Sequence, residues 1–171
     1  MKTLTLFLLL TFAFAGFASK QSFGQTKKTI ILVRHAEKDA AQAEMSGDPE
    51  LSAAGKERAE RLVKNIGKYR VGAVYSSDTR RTRDTAAPMA ARLHLKVEIY
   101  DPRKQDELVK LIMGSKTKRF LIVGHSNTIP ALANLLIKKE LFKSVDDNEY
   151  GVIWVIRFRG GGISKVEILH Y

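Results

Sequence analysis

The chain has 171 residues, 44% hydrophobic and 27% charged, with a formal charge of +11 and no cysteine. That length fits one domain with a core large enough to fold without staples. The missing thiols exclude disulfides, thiolate metal sites, a cysteine nucleophile and a lipid-modified N-terminal cysteine. The positive balance favours anionic partners: phosphorylated substrates, nucleic acid, or a membrane or cell-wall surface. The lysines are scattered singly or in pairs, and Lys116, Lys118 and Arg119 make too short a run for a nucleic-acid patch.

Residues 1–24 read as a signal peptide. Lys2 is followed by an apolar stretch from about Leu4 to Phe17, then by small residues. Cleavage after Ala18 or Gly24 fits, and the second leaves residues 25–171 as the folded domain. The competing reading is an uncleaved anchor, for which the stretch is short. Removal of residues 1–24 takes away Lys2 and Lys20, two fewer charges than +11, leaving +9. The expected location is periplasmic or secreted, with no stable membrane insertion after cleavage.

Thr29-Ile30-Ile31-Leu32-Val33 is a continuous β-branched run, the pattern of a strand buried on both faces. Similar runs recur at residues 71–75, 95–99 and 120–123. A helix capped by Ser52 presents Ala59, Leu62, Val63 and Ile66 on one face. A second presents Thr82, Ala86, Met89, Ala90 and Leu93, with Pro88 expected to kink or restart it. A third is expected at residues 104–113, and a fourth at 128–137 with Pro130 in its first turn. Residues 38–50 are the longest expected loop. Residues 152–158 and 163–169 are strand-like and separated by Arg159-Gly160-Gly161-Gly162, a hairpin signal. Strands alternating with helices predict an α/β fold. It has three layers, α/β/α, with a mainly parallel central sheet and a C-terminal antiparallel hairpin.

Ligands of open α/β sheets bind beyond the carboxyl ends of the strands. Three such ends carry unusual residues here: Arg34-His35-Ala36-Glu37, Ser76-Ser77 followed by residues 78–86, and Gly124-His125-Ser126-Asn127. Two imidazoles and two or more guanidiniums converging from separate strands suit phosphoryl transfer, which asks a protein mainly for positioning and charge neutralisation. A neutral imidazole can attack phosphorus in line and form a phosphohistidine. An acid must protonate the leaving oxygen and then activate water. Two histidines without a third ligand do not make a metal site, so neither metal nor cofactor is expected.

Arg34-His35-Ala36-Glu37 resembles the Arg-His-Gly-Glu signature of the histidine phosphatase (phosphoglycerate mutase-like) superfamily. Residues 76–86 resemble its Ser-Ser-x-x-x-Arg-Ala-x-Gln-Thr-Ala segment. Val123-Gly124-His125-Ser126 resembles its second histidine motif, and Leu51-Ser52-x-x-Gly55 the opening of its first helix. The likeness runs from about Lys28 to Tyr171 and points to a small, compact branch with the phosphoglycerate mutase-like fold. It implies that His35 is the nucleophile, that Arg34 and Arg81 bind the phosphoryl group, and that His125 hydrogen-bonds its oxygens. Glu37, Ser126 and Asn127 are placed with the phosphate site by the same motifs.

Departures are Ala36 for glycine, Asp84 for glutamine, and Ser126 where one branch has its acidic proton donor. The resemblance then points to an acid after the third strand: Asp101, or Asp106 or Glu107 further on. Compact members without a dedicated acid would favour good leaving groups such as phosphohistidine or aryl phosphates. Arg80 and Arg83 read as solvent-facing helix charges. The implied activity is a metal-independent phosphatase acting on a phosphorylated small molecule or phosphoprotein. The rivals are a mutase-type phosphotransferase and a non-catalytic anion-binding domain.

Overall fold

The computed structural model describes residues 27–171. The expected signal peptide therefore lies outside the described residues. Four strands, β1 (Lys28–Arg34), β2 (Ala73–Ser77), β3 (Val97–Tyr100) and β4 (Arg119–Gly124), alternate with helices. The helices are α1 (Ala40–Met45), α2 (Ala53–Ile66), α3 (Arg80–Arg92), α4 (Gln105–Gly114) and α5 (Thr128–Ile137). A hairpin of β5 (Val152–Arg159) and β6 (Gly162–His170) ends the chain.

The sheet order is β3-β2-β4-β1-β5-β6. The first four strands are parallel, β5 is antiparallel to β1, and β6 is antiparallel to β5. The layered architecture and the hairpin are those the sequence predicts, and the fold is phosphoglycerate mutase-like. Alternate residues of the central strands feed two cores. Ile30, Leu32, Phe120 and Ile122 pack with α4 and α5 on one face, while Ile31, Val33, Leu121 and Val123 pack with α2 and α3 on the other. Each such fully buried apolar side chain contributes about 1.5–3 kcal/mol.

Two expectations change. The polar stretch 38–50 is not all loop: Ala40-Ala41-Gln42-Ala43-Glu44-Met45 are good helix formers and make α1. The Asp39 carboxylate caps it by accepting from the Gln42 N–H at 3.0 Å. Pro88 does not interrupt α3, which runs through it. The carbonyl that loses its donor is that of Asp84, an exposed residue open to water.

The start of α2 is fastened to the segment behind His35. The Ser52 N–H donates to the Glu37 carbonyl at 2.9 Å, and the Ser52 hydroxyl accepts from the Gly55 N–H at 3.1 Å. A Cβ on Gly55 would fall 2.1 Å from the Glu37 carbonyl oxygen, so only glycine allows this approach. Gly67, by contrast, has φ −54° and open space around it. Gly55→Ala is expected to cost about 3 kcal/mol, lowering Tm by roughly 6–12 °C, whereas Gly67→Ala is neutral or slightly stabilising. Calorimetry of the two variants checks this; equal melting temperatures would contradict the close contact.

Candidate active site

Arg34 pairs with Gly124 in the parallel β1–β4 ladder, and the residue after each is a histidine. The His35 N–H donates to the Gly124 carbonyl at 2.8 Å, holding the two strand ends together past the ladder. The rings of His35 and His125 lie with centroids 5.5 Å apart and planes at 68°. His35 Nδ1 sits 2.8 Å from the carbonyl oxygen of Ala36. A carbonyl only accepts, so Nδ1 carries the proton and Nε2 keeps its lone pair. Burial pushes the His35 pKa down to about 3; the Ala36 bond opposes this, while Arg34, Arg81 and His125 add to it.

His125 Nε2 lies 2.9 Å from the Ser77 hydroxyl at the end of β2. Its backbone N–H donates to the Thr128 hydroxyl at 3.0 Å as the chain turns into α5. Burial, then Arg81 and Arg34, push its pKa down to about 4, against a pull upward from Asp48. Both imidazoles are therefore neutral at pH 7, and the pocket's positive charge comes from the arginines.

Arg34 is buried at 5% exposure. Its Nη1 donates to the carbonyls of Asp146 and Glu149 at 2.7 and 2.8 Å, and its guanidinium lies 4.3 Å from the centre of the Tyr150 ring. Its Nε is buried with no hydrogen-bond partner among the described residues. A buried guanidinium short of an acceptor is a seat for an anion. Arg81, in the first turn of α3, faces the Asp48 carboxylate at 3.4 Å. Asp48 also accepts from the Arg80 N–H at 2.9 and 3.0 Å, capping a helix whose Thr79 makes no side-chain cap. The buried Thr85 hydroxyl donates to the Arg81 carbonyl at 2.7 Å and accepts from the Ala36 N–H at 2.9 Å. It thereby ties the start of α3 to the residue after His35.

The loop between α5 and β5 is held from below. The buried Asn134 side chain accepts from the N–H groups of Leu141 and Phe142 and donates to the Phe142 carbonyl. The Val145 N–H donates to the Ser126 carbonyl at 2.9 Å, which carries the loop on to Arg34.

The structure thus brings His35, His125, Arg34 and Arg81 together. Other expected residues sit differently. The Glu37 carboxylate is taken by Arg58, whose Nε and Nη2 both donate to it; burial pushes its pKa up, but Arg58, a backbone hydrogen bond and the charge of Arg61 together bring it below the usual value. An anion so committed braces the loop and does not hold phosphate. Asp101 shares a cavity of about 380 Å³ with Ser77 and His125, but its carboxylate is clamped by Arg103 at 3.0 Å on both oxygens. That pairing pushes its pKa down to about 2, so it is ionised and has no proton to give at neutral pH. Asn127 is exposed and lines a neighbouring depression with Pro102, Arg103 and Gln105, away from the histidines. The Ser126 carbonyl accepts from the Val145 N–H, so the residue's observed part is to hold the loop. Arg80 and Arg83 pair with Glu50 and Asp78 on the surface, as expected of them.

Sequence reasoning missed Asp48, Tyr150 and Arg58. Asp48 stands just ahead of the Leu51-Ser52 motif, a place that could have drawn notice. Tyr150 reaches Arg34 through a loop that no spacing rule connects to β1. Among the described residues, no group of three or more His, Cys, Asp or Glu is placed to hold a metal ion.

A family model described as histidine phosphatase superfamily (branch 1) matches residues 30–103. A search of curated proteins finds no match. Solved structures similar to this chain include a putative phosphohistidine phosphatase SixA from Agrobacterium tumefaciens, 20% identical, covering 82% of this chain and 97% of its own, with TM-score 0.59. Another is a putative alpha-ribazole-5'-P phosphatase from Escherichia coli, 14% identical, covering 84% and 96%, with TM-score 0.66. A third is a mycobacterial glucosyl-3-phosphoglycerate phosphatase, 16% identical, covering 84% and 98%, with TM-score 0.62.

Both imidazoles bind protons less readily than in the unfolded chain, where they titrate near 6.5. As pH falls through 6.5, the unfolded chain takes up protons that the folded pocket refuses. Stability present above 6.5 is thus lost progressively toward pH 4. Denaturant titrations between pH 7 and 5 should show this slope, and His35→Gln/His125→Gln should flatten it. An unchanged slope in the double variant would contradict the neutral pocket.

Proposed function

We propose that the chain, whose residues 30–103 match the histidine phosphatase family model, is a histidine phosphatase: a metal-independent phosphatase working through a phosphohistidine on His35. The observation that carries this is the pairing of an unprotonated His35 Nε2 with a buried Arg34 that lacks one acceptor. In the proposed reaction Nε2 attacks phosphorus, the bond from phosphorus to the leaving group breaks, and the phosphoryl group passes to His35. Arg34 and Arg81 offset the charge on its equatorial oxygens, and the neutral His125 supplies a hydrogen bond to them. Water then attacks phosphorus, an O–P bond forms as the P–Nε2 bond breaks, and inorganic phosphate leaves with the water's protons while His35 returns to its neutral form with the proton still on Nδ1.

The leaving-group side supports a narrower substrate class. Asp101 is ionised, so a strongly basic alkoxide would depart without a proton from it. Substrates whose leaving group is weakly basic or readily protonated by water are favoured: phosphohistidine in a protein or peptide, or an aryl phosphate. Export follows the same proposal, with residues 1–24 removed and the enzyme acting in the periplasm or outside the cell.

A phosphate-release screen tests the reading, using a phosphohistidine peptide, p-nitrophenyl phosphate and glycerol phosphate, each with and without a chelator. Release is expected from the first two, untouched by chelation, and lower by roughly a thousandfold or more in His35→Ala. The acid limb of kcat/KM should lie below about pH 5, because the free enzyme's nucleophile stays neutral there. Unchanged release by His35→Ala would rule out the assigned nucleophile, and a limb near 6.5 the depressed imidazole.

A further inference from the structure

We propose that the end of the sheet opposite the histidines is a docking surface for the anionic headgroups of a membrane. The parallel strands β1–β4 all begin at this end, β5 finishes there and β6 starts there. The segments that build it, residues 61–74, 91–97, 110–122 and 155–166, contain no aspartate or glutamate, and neither does the run 27–34 through β1; Glu167, opposite Val155 and held by Arg157 and Lys165, is the carboxylate at its margin. The pocket end is the reverse, with Asp48, Asp78, Asp101, Asp146, Asp147 and Glu149 around it. Charge is therefore sorted along the strand direction.

Six cations define the surface: Lys68, Arg70, Lys96, Lys116, Lys118 and Arg119. All six are exposed, and among the described residues none of them makes a salt bridge. Their backbone is fixed. Arg119 Nε donates to the Arg70 carbonyl at 2.7 Å, the Gly72 N–H to the Arg119 carbonyl at 2.9 Å, and the Thr29 N–H to the Lys118 carbonyl at 2.8 Å. The buried Lys28 ammonium donates to the carbonyls of Ser115 and Thr117, pinning the 115–118 loop to the start of β1.

Helix termini do not account for this. Cations are favourable in the last turn of a helix, and that effect fades beyond it. Lys96, Lys118 and Arg119 lie past the final turns of α3 and α4, and Arg70 past the 3₁₀ turn that follows α2. A dipole effect also gives no reason to keep carboxylates out of every connection.

A lipid surface fits better than nucleic acid. Single-stranded nucleic acid needs free aromatic faces for stacking. Tyr69, the tyrosine at this end, has Lys68 and Arg157 packed 5.3 and 5.7 Å from its ring centre. The apolar run of residues 4–17 joins the fold here, because Lys28 opens β1. A chain held by that run, or just freed from it, meets the bilayer with this face, and its pocket points away from the membrane. Juxtamembrane clusters of lysine and arginine are attracted to anionic lipid in this manner.

The test is co-sedimentation of the full chain with vesicles of phosphatidylglycerol and phosphatidylcholine, against vesicles of phosphatidylcholine alone. Residues 1–24, with Lys2 and Lys20, are the same in parent and variants, so their contribution cancels when the two triple variants are compared. Partitioning should favour the anionic vesicles by about tenfold or more at low salt and lose that preference at high salt. Lys68→Gln/Lys116→Gln/Lys118→Gln should lose most of the preference. Lys38→Gln/Lys56→Gln/Lys104→Gln, with the same charge change at the pocket end, should keep it, and both should melt like the parent. No preference for anionic vesicles, equal loss in the two triple variants, or face-dependent binding of duplex DNA without binding of vesicles would overturn the proposal.

Discussion

Parallel pairing of β1 with β4 sets Arg34 opposite Gly124, and from this single register the pocket follows. Both strands are buried on both faces, so a slip of one residue would exchange the two cores and turn each histidine away. Gly124 makes the close fit possible: a Cβ there would sit 2.7 Å from the Tyr100 hydroxyl and 2.9 Å from Ile129. Backbone geometry, more than any side-chain contact, puts the two imidazoles side by side.

The pocket then solves an electrostatic problem in an unusual way. Burying a guanidinium is costly unless its donors are met. Arg34 has carbonyls for one end, a tyrosine face beneath it and the exposed Asp147 carboxylate 3.5 Å from Nη2, yet keeps Nε unmatched. Arg81 faces one half-exposed carboxylate across 3.4 Å. The imidazoles beside them stay neutral because burial and these same cations resist a further positive charge. The result is a site with incomplete anionic compensation and a free imidazole lone pair, ready for a tetrahedral dianion. Asp48 touches this balance from the loop after α1, offering its carboxylate to Arg81 and to the Arg80 N–H.

Much of this was legible in the residues. Continuous β-branched runs announced buried parallel strands, and Arg34-His35 and Gly124-His125 at two strand ends announced the pocket. Ser77 and Thr85 lay inside the quoted second motif, though their bonds to His125 and to Ala36 needed coordinates. Two assigned acids have partners that the sequence did not reveal. Glu37 and Asp101 were assigned from chemical type and position, but each had an arginine nearby in space, Arg58 and Arg103, that claims its carboxylate. Sequence shows which acids are present and not which cations they meet. Helix α1 was hidden because polarity spoke for a loop while propensity spoke for a helix. The grip of residues 146–150 on Arg34 comes from two backbone carbonyls, which carry no side-chain signature, together with the Asp147 carboxylate and the Tyr150 ring, which reach it through a loop distant in sequence.

A molecule with its acids round the pocket and its cations at the far end presents two faces to two kinds of partner, and only the pocket face bears on the chemistry. The most direct measurement there is rapid quenching during turnover of an aryl phosphate, followed by mapping of the trapped adduct by mass spectrometry under alkaline conditions. The account predicts a base-stable, acid-labile phosphoryl group on His35 that forms faster than phosphate is released. Turnover without any adduct on His35, or with the phosphoryl group on another residue, would contradict it.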